Sequence, residues 1–465
     1  MARTKSITPE SLAALGAETL AETLIGHAGA DPVLRKKLAM LLAGTAGPAK
    51  LAAEIEKRIR TIGRSRSFLE WEKVKPLVQE LDHLRATIAT RLAAQDRERA
   101  IALLWDLLGI ADAVLDRVGD GTGAVEEVFG AAIADLGRLS AAPPPRDPAA
   151  LARRVLAFCE RDGFGSADAL IRHMGEALGP AGRASIRDAT QAALKSLPPV
   201  PKPNDWQAHT RRRLLGFRLT VLADLEGDPD AYIASIRAGA MENTHTLDIA
   251  ERLIGAGRAE EALTWLDKPR RRVADEDAKD IDLRIAALES LARGAQAQAV
   301  RWSHFETSLS AAHLSDYLKR LPDFEDFEAE QKALAVAAAH SEPDRALAFL
   351  IEWKALDRAN RLVRDRLSAL DGAAYYVLRP AAEALEEKFP ETASLLYRRM
   401  IESVLGRGSS SQYPYAARDL FSAARLAPRL PATPAIETHA AFLARLRKAH
   451  GRKYGFWGLV DPKGQ

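Results

Sequence analysis

The stretch Gly257-Arg258-Ala259-Glu260-Glu261-Ala262-Leu263-Thr264-Trp265 (GRAEEALTW) decides the fold when set beside Gly294–Trp302 (GAQAQAVRW). The two copies stand 37 residues apart, each with Gly first, Ala sixth and Trp ninth. A third segment, Pro343-Asp344-Arg345-Ala346 with Phe349, keeps the small residue and the aromatic three positions later. The physical reading is a helical hairpin. Gly ends the first helix, Ala lets two helices approach, and the aromatic fills the space between hairpins. A period of roughly 34 to 40 residues is that of tetratricopeptide-like arrays. One hairpin cannot bury its apolar face alone, so neighbours must stack.

Outward from there, almost every segment carries the helical period. Ser11 to Ile25 puts Leu12, Leu15, Leu20 and Leu24 on one stripe. Asp31-Pro32 reads as N-cap and first helical residue. Leu51, Ile55, Ile59 and Ile62 repeat the spacing, as do Leu77, Leu81, Leu84, Ile88 and Leu92. Arg99 to Val118 and Ala124 to Leu136 follow, parted by a helix stop and turn at Gly119-Asp120-Gly121-Thr122-Gly123. Strand signals and βαβ patterns are nearly absent. The expected fold is all-α: an N-terminal helical block over residues 1–140, then a tetratricopeptide-like α-solenoid of helical hairpins over 148–465. The proline-rich stretch Ala141 to Pro148 (AAPPPRDP) marks the boundary. A second one, Leu197 to Pro203 (LPPVPKP), suggests a sub-boundary at 197–204.

Composition bounds the function. The 465 residues are 47% hydrophobic and 28% charged, which excludes disorder over most of the chain. Lys plus Arg is 66 against 63 Asp plus Glu, a net +3, too small for a nucleic-acid coat. The single cysteine, Cys159, excludes a disulfide scaffold and any zinc site needing two thiols. No segment reaches the ~20 uncharged apolar residues of a membrane span. The N-terminus lacks the apolar stretch of a signal peptide. Asn204, Asn243 and Asn360 begin no glycosylation sequon. These features point to the cytoplasm.

Several segments resemble a known family. They are Leu34 to Leu38, Ile59 to Phe68 (IRTIGRSRSF) with Trp71, Val114 to Leu136, Cys159 to Gly182, Leu395 to Arg398, Tyr415 to Ala417, and Ala449 to Leu459 (AHGRKYGFWGL). The chain resembles an uncharacterised family of bacterial all-helical proteins, a domain of unknown function. That family is in turn similar to the helical region accompanying SWIM-type zinc fingers. The resemblance implies an all-helical, repeat-like fold and no activity. The zinc finger itself needs Cys and His ligands that this chain does not supply.

No catalytic constellation stands out, so the expectation is a non-enzyme without cofactor or metal. The ten histidines are scattered, and the nine-residue spacing of His304 and His313 does not make them neighbours on one helical turn. Cys159, within Leu156-Ala157-Phe158-Cys159, reads as a small core hydrophobe. Gly119–Gly123 and Gly406–Ser411 read as turns, because neither follows a strand nor contains Gly-Lys-Ser/Thr. Asp323–Glu330 places acids at a helix N-terminus, with Phe324 and Phe327 as its anchors. Tyr454–Trp457 should cap the last helix layer. The leading function is a scaffold that binds a protein or peptide in the groove of stacked hairpins. The alternative is nucleic-acid contact through Arg58, Arg60, Arg64, Arg66, Arg270, Arg271 and Arg272, with Arg211 to Arg213 and the Arg447 to Lys453 cluster as further basic runs. A third class is an enzyme whose residues, such as Arg161, Asp162 and His173, meet only in space.

Overall fold

Among the described residues of the computed structural model there are 24 α-helices and one isolated parallel β-bridge, Leu69 to Val118. Those residues are 8–30, 34–35, 38–39, 42, 45, 47–70, 72, 74–161, 167–198, 205–269, 276–430 and 437–461. The expected start at Asp31-Pro32, the residue Trp71, and the segments 162–166 and 199–204 lie outside them. No helix among the described residues is long and apolar enough to cross a membrane. The chain divides into two compact units, Met1–Arg252 with Pro269–Arg271, and Leu253–Lys268 with Arg272–Gln465.

The first unit holds α1 (Pro9–Ala13), α2 (Ala17–Ala30), α3 (Pro48–Arg64), α4 (Val74–Thr87), α5 (Arg97–Leu108), α6 (Ala111–Leu115), α7 (Ala124–Ala141), α8 (Pro148–Cys159), α9 (Ala167–Ser196), α10 (Trp206–Glu226), α11 (Pro229–Ala238) and most of α12 (Thr246–Gly255). The stripes read from sequence form its core. Leu51, Ile55, Ile59 and Ile62 of α3 are buried against Leu77, Leu81 and Leu84 of α4, and a π-helical turn at Ile88–Leu92 carries that stripe onward. Each such side chain contributes about 1.5–3 kcal/mol. Cys159 is buried in the same core. The Ser11–Ile25 stripe behaves differently. Gly16, at φ +85°, parts α1 from α2, and Leu12, Leu15, Leu24 and Ile25 are exposed.

The Gly119–Gly123 turn is held by Asp120. Its carboxylate accepts from the Thr122 N–H at 3.0 Å and from Val125 N–H, in the first turn of α7, at 2.8 Å. The proline-rich stretch 141–148 joins helices of one core. Leu136 and Leu139 before it pack in the cluster that holds Ala152, Val155 and Met174 after it. Arg97 also fastens the stretch to α5, donating to the carbonyls of Leu139 (2.7 Å) and Pro143 (3.0 Å). Proline stiffness marks a loop here, and the division of the chain falls at Arg252/Leu253 instead.

The second unit holds α13 (Ala259–Leu266), α14 (Glu276–Ser290), α15 (Gly294–Ser308), α16 (Ala311–Leu318), α17 (Glu325–Ala339), α18 (Pro343–Glu352), α19 (Leu356–Arg366), α20 (Tyr375–Leu385), α21 (Pro390–Arg407), α22 (Tyr413–Leu426), α23 (His439–His450) and α24 (Tyr454–Val460). Substantial packing among them is with helices one or two places away in the chain. Three hairpin turns share one pattern, in a register other than the expected one. Gly257 (φ +75°), Ala292 (φ +57°) and Lys354 (φ +58°) each end a helix in the left-handed conformation. Each uses one double bond pattern. Ala292 N–H donates to Glu289 O (2.9 Å) and Arg293 N–H to Leu288 O (2.8 Å). Gly257 with Arg258 and Lys354 with Ala355 do the same. Five residues beyond each turn stands a fully buried alanine: Ala262, Ala297 and Ala359.

The structural offset of the first two copies is therefore 35 residues, from Gly257 to Ala292. Gly294 does not end a helix. It is the first residue of α15. Pro343–Phe349 lies in the first helix of its hairpin, with Ala346 and Phe349 buried, and Ala359 in the second helix is the true counterpart of Ala262. Two further aromatic expectations divide. Phe324 and Phe327 are exposed and anchor nothing in α17. Phe456 and Trp457 are buried with Phe442 in the last cluster, and the Trp457 indole donates to His450 O at 3.0 Å.

Candidate binding groove

A groove of about 1030 Å³ in the second unit is lined by α14, α15, the start of α16 and Arg345 of α18. Its apolar wall is Ala278, Ile281, Ala299 and Val300, and its polar wall is Ser303, His304, Thr307, Ser308, Ser310 and His313. The two histidines meet although they are nine residues apart. After α15 ends at Ser308, Leu309 takes φ +52° and reverses the chain, so α16 runs back alongside. The ring centroids lie 4.5 Å apart with the planes at 68°. They are not neighbours on one helical turn, as the spacing implied, but meet from two successive helices, a contact the spacing did not show. The signal was Ser310, an N-cap whose hydroxyl accepts from His313 N–H at 3.4 Å.

Both ring nitrogens of His313 are engaged, Nδ1 with Ser310 Oγ at 2.8 Å and Nε2 with Asp282 Oδ1 at 3.1 Å. In outline this is a serine–histidine–carboxylate relay. Its details are those of a helix cap: Ser310 Oγ is occupied as the acceptor of the cap bond, and the Asp282 side chain is 67% exposed, where water screens it. What the set does is lock the His313 ring. Burial, and next the adjoining His313, holds the His304 imidazole below its ordinary value, against the pull of Asp282 and Asp277. A neutral His304 can both donate and accept.

The groove's charges are largely matched. Arg284 binds Asp280 (3.0 Å), Asp267 (2.6 Å) and the Leu266 carbonyl (2.6 Å). Arg345 donates to Thr307 O at 3.1 Å. Among the described residues no group of three or more His, Cys, Asp or Glu is placed to hold a metal. The floor therefore presents hydroxyls, imidazole and carbonyl oxygens beside a short aliphatic wall, which suits the alternating polar and apolar groups of an extended peptide.

The arginine candidates are dispersed. Arg58 grips the Glu80 carboxylate through Nε and Nη2, the latter at 2.7 Å. Arg60 pairs with Glu56 at 2.6 Å. Arg64 and Arg66 are exposed, and Arg270, Arg271 and Arg272 lie outside the described residues. Arg60 reaches a cleft of about 440 Å³ with Arg154 and Arg161, at the C-terminal ends of α5 and α8. There Arg154 lies 4.6 Å over the Trp105 ring, and Arg161 donates to Ala157 O at 3.2 Å. Cations at those ends complement the helix dipoles. Arg211 and buried Arg218 share Glu160; burial pushes that carboxyl up, but the two arginines hold it below its usual range. Arg447 pairs with Asp461, while His173 is exposed and Asp162 lies outside the described residues.

Residues 2–459 match a family of unknown function, DUF6880. The chain belongs to this family. No curated protein and no solved structure matches it. The match spans all the helices described above, both units included, and carries no assigned activity.

Proposed function

We propose that this DUF6880 protein is a non-enzymatic helical scaffold of the cytoplasm, whose second unit is an α-solenoid of stacked hairpins holding a peptide segment of a partner protein. The observation that carries this reading is the groove of about 1030 Å³, which opens across three consecutive helices and is lined by hydrogen-bonding side chains rather than by a catalytic set. Stacked hairpins form concave surfaces of this kind. The neutralised arginines count against the nucleic-acid alternative, since Arg58 and Arg60 already hold carboxylates. The cytoplasmic assignment rests on the lone buried thiol and the absence of sequons.

The test is a photo-crosslinking amino acid placed in cells at Ser303, on the groove wall, and as control at exposed Asp326 of α17. The expected result is one protein segment crosslinked at Ser303, absent at Asp326, and lost when Ala299→Trp fills the groove. Equal yields at both positions, no adduct, or adducts to nucleic acid alone would overturn the proposal.

A further inference from the structure

A second cavity of the second unit, about 260 Å³, is enclosed by Gly372, Tyr375, Val404, Arg407, Gln412 and Tyr415. Its size is just below the ~300–1,000 Å³ common for ligand pockets and suits a single ring with one polar group. Two tyrosine rings form its walls, with centroids 5.8 Å apart and planes at 61°. Both are held from behind. The Tyr375 hydroxyl accepts from Arg379 Nη1 at 2.8 Å and from Arg418. The Arg418 guanidinium also lies 5.5 Å over the Tyr415 ring, and Arg379 is anchored by Asp419 and by Glu383 at 2.9 Å. The rings are thus fixed before anything binds, which removes the ordering cost of association. The floor is equally fixed. A Cβ at Gly372 would stand 2.7 Å from both the Arg399 carbonyl oxygen and the Ser403 side chain. Only glycine lets that loop sit so close to α21.

Arg407 stands at the mouth. Its Nε donates to Ser403 O at 3.4 Å, and among the described residues no carboxylate pairs with it. Elsewhere in the chain Arg58, Arg252 and Arg258 each hold a carboxylate through Nε and Nη2, which shows how such a guanidinium receives one. A planar guanidinium left open beside two aromatic faces recognises a carboxylate bidentately. The geometry points to a binding site for a small aromatic carboxylate, its ring against the wall formed by Tyr375 and Tyr415 and its carboxylate on Arg407. The site is separate from the peptide groove and stands or falls independently of it.

The probes are benzoate, phenylacetate and indole-3-acetate, observed by ligand-detected NMR with the full-length protein. Phenylacetamide serves as the neutral control. At least one carboxylate should bind, at least tenfold more tightly than phenylacetamide. Arg407→Gln, at an exposed position and with its helix content checked by circular dichroism, should weaken it at least tenfold. Tyr415→Ala should weaken it too, through loss of the wall. Failure of all three carboxylates to bind, equal binding of phenylacetamide, or unchanged affinity in Arg407→Gln would overturn the assignment.

Discussion

Ala292 ends a helix in the left-handed conformation, and replacing it with glycine tests the register of its hairpin by sign. At φ +57° an alanine carries the left-handed penalty of a Cβ against its own carbonyl, about 1–2 kcal/mol. Glycine removes that penalty and adds about 0.5–1 kcal/mol of unfolded-chain entropy. Ala292→Gly should therefore stabilise the protein by about 0.5–1 kcal/mol. The companion change is Gly294→Ala. Gly294 opens α15, and a Cβ there meets nothing within 4 Å, so alanine should add up to ~1 kcal/mol of helix propensity. The repeat as read from sequence, 37 residues long, makes Gly294 the helix-ending residue and Ala292 a helix-interior one. It requires both changes to destabilise. Urea unfolding followed by far-ultraviolet circular dichroism decides between them. Each variant, made singly, should raise the midpoint by a few tenths of a molar. A lower midpoint for Ala292→Gly would refute the structural register.

A Cβ at Gly137 of α7 would stand 2.3 Å from the His173 carbonyl oxygen, so Gly137→Ala should cost about 1–3 kcal/mol despite its helix propensity, seen as a lower urea midpoint. Asp419 is 1% exposed and tied to Arg379, so Asp419→Ala should cost about 3 kcal/mol by removing the guanidinium's buried partner and leaving it only the exposed Glu383 carboxylate. The double variant with Arg379→Met should cost clearly less; equal loss would show that the pair is not the cause. Burial first, with His313, Arg398 and Lys453 respectively, holds His304, His439 and His450 below their ordinary value of 6.5. The fold then prefers the neutral rings, so their contribution is present above that value and lost as pH falls through the folded pKa. The urea midpoint should drop from about pH 7.5 to about pH 5.5, and His304→Gln should flatten the slope. A midpoint that holds steady on acidification contradicts this.

The parts of the fold legible in the sequence are those written in local chemistry. The stripes of α3 and α4 and the turn at Gly119–Gly123 depend on neighbours within a few positions. What escaped depends on chain reversal without a marker. Ala292, Lys354 and Leu309 adopt left-handed backbone that glycine would have announced, and their side chains say nothing of it. The apparent 37-residue match arose because Gly294 begins a helix two positions after the real turn. Leu309 likewise hid the meeting of His304 with His313, and with it the polar wall of the groove. The stretch 141–148 misled for another reason. Prolines report loop stiffness, whereas domain membership depends on which apolar faces meet, and Leu136 meets Met174 and its neighbours across the loop.

Charge was the least legible property, because its partners are remote in sequence. Arg58 finds Glu80 on the next helix, Arg85 reaches Asp135 of α7, Arg293 reaches Glu260, and Arg425 reaches Glu386. Exposed pairs like the last two contribute at most about 1 kcal/mol each. Their larger consequence is that an arginine already holding a carboxylate offers little to a phosphate, so runs of basic residues overstate the anion affinity of a helical array. The useful quantity is the cation left over after cross-helix pairing. Arg407 is such a cation, and it stands where two immobilised aromatic rings leave room for a ligand. An open guanidinium beside an aromatic-lined cavity is a stronger pointer to an anionic ligand than any cluster visible along the chain, because there the cation is joined to a surface that fits the rest of the ligand.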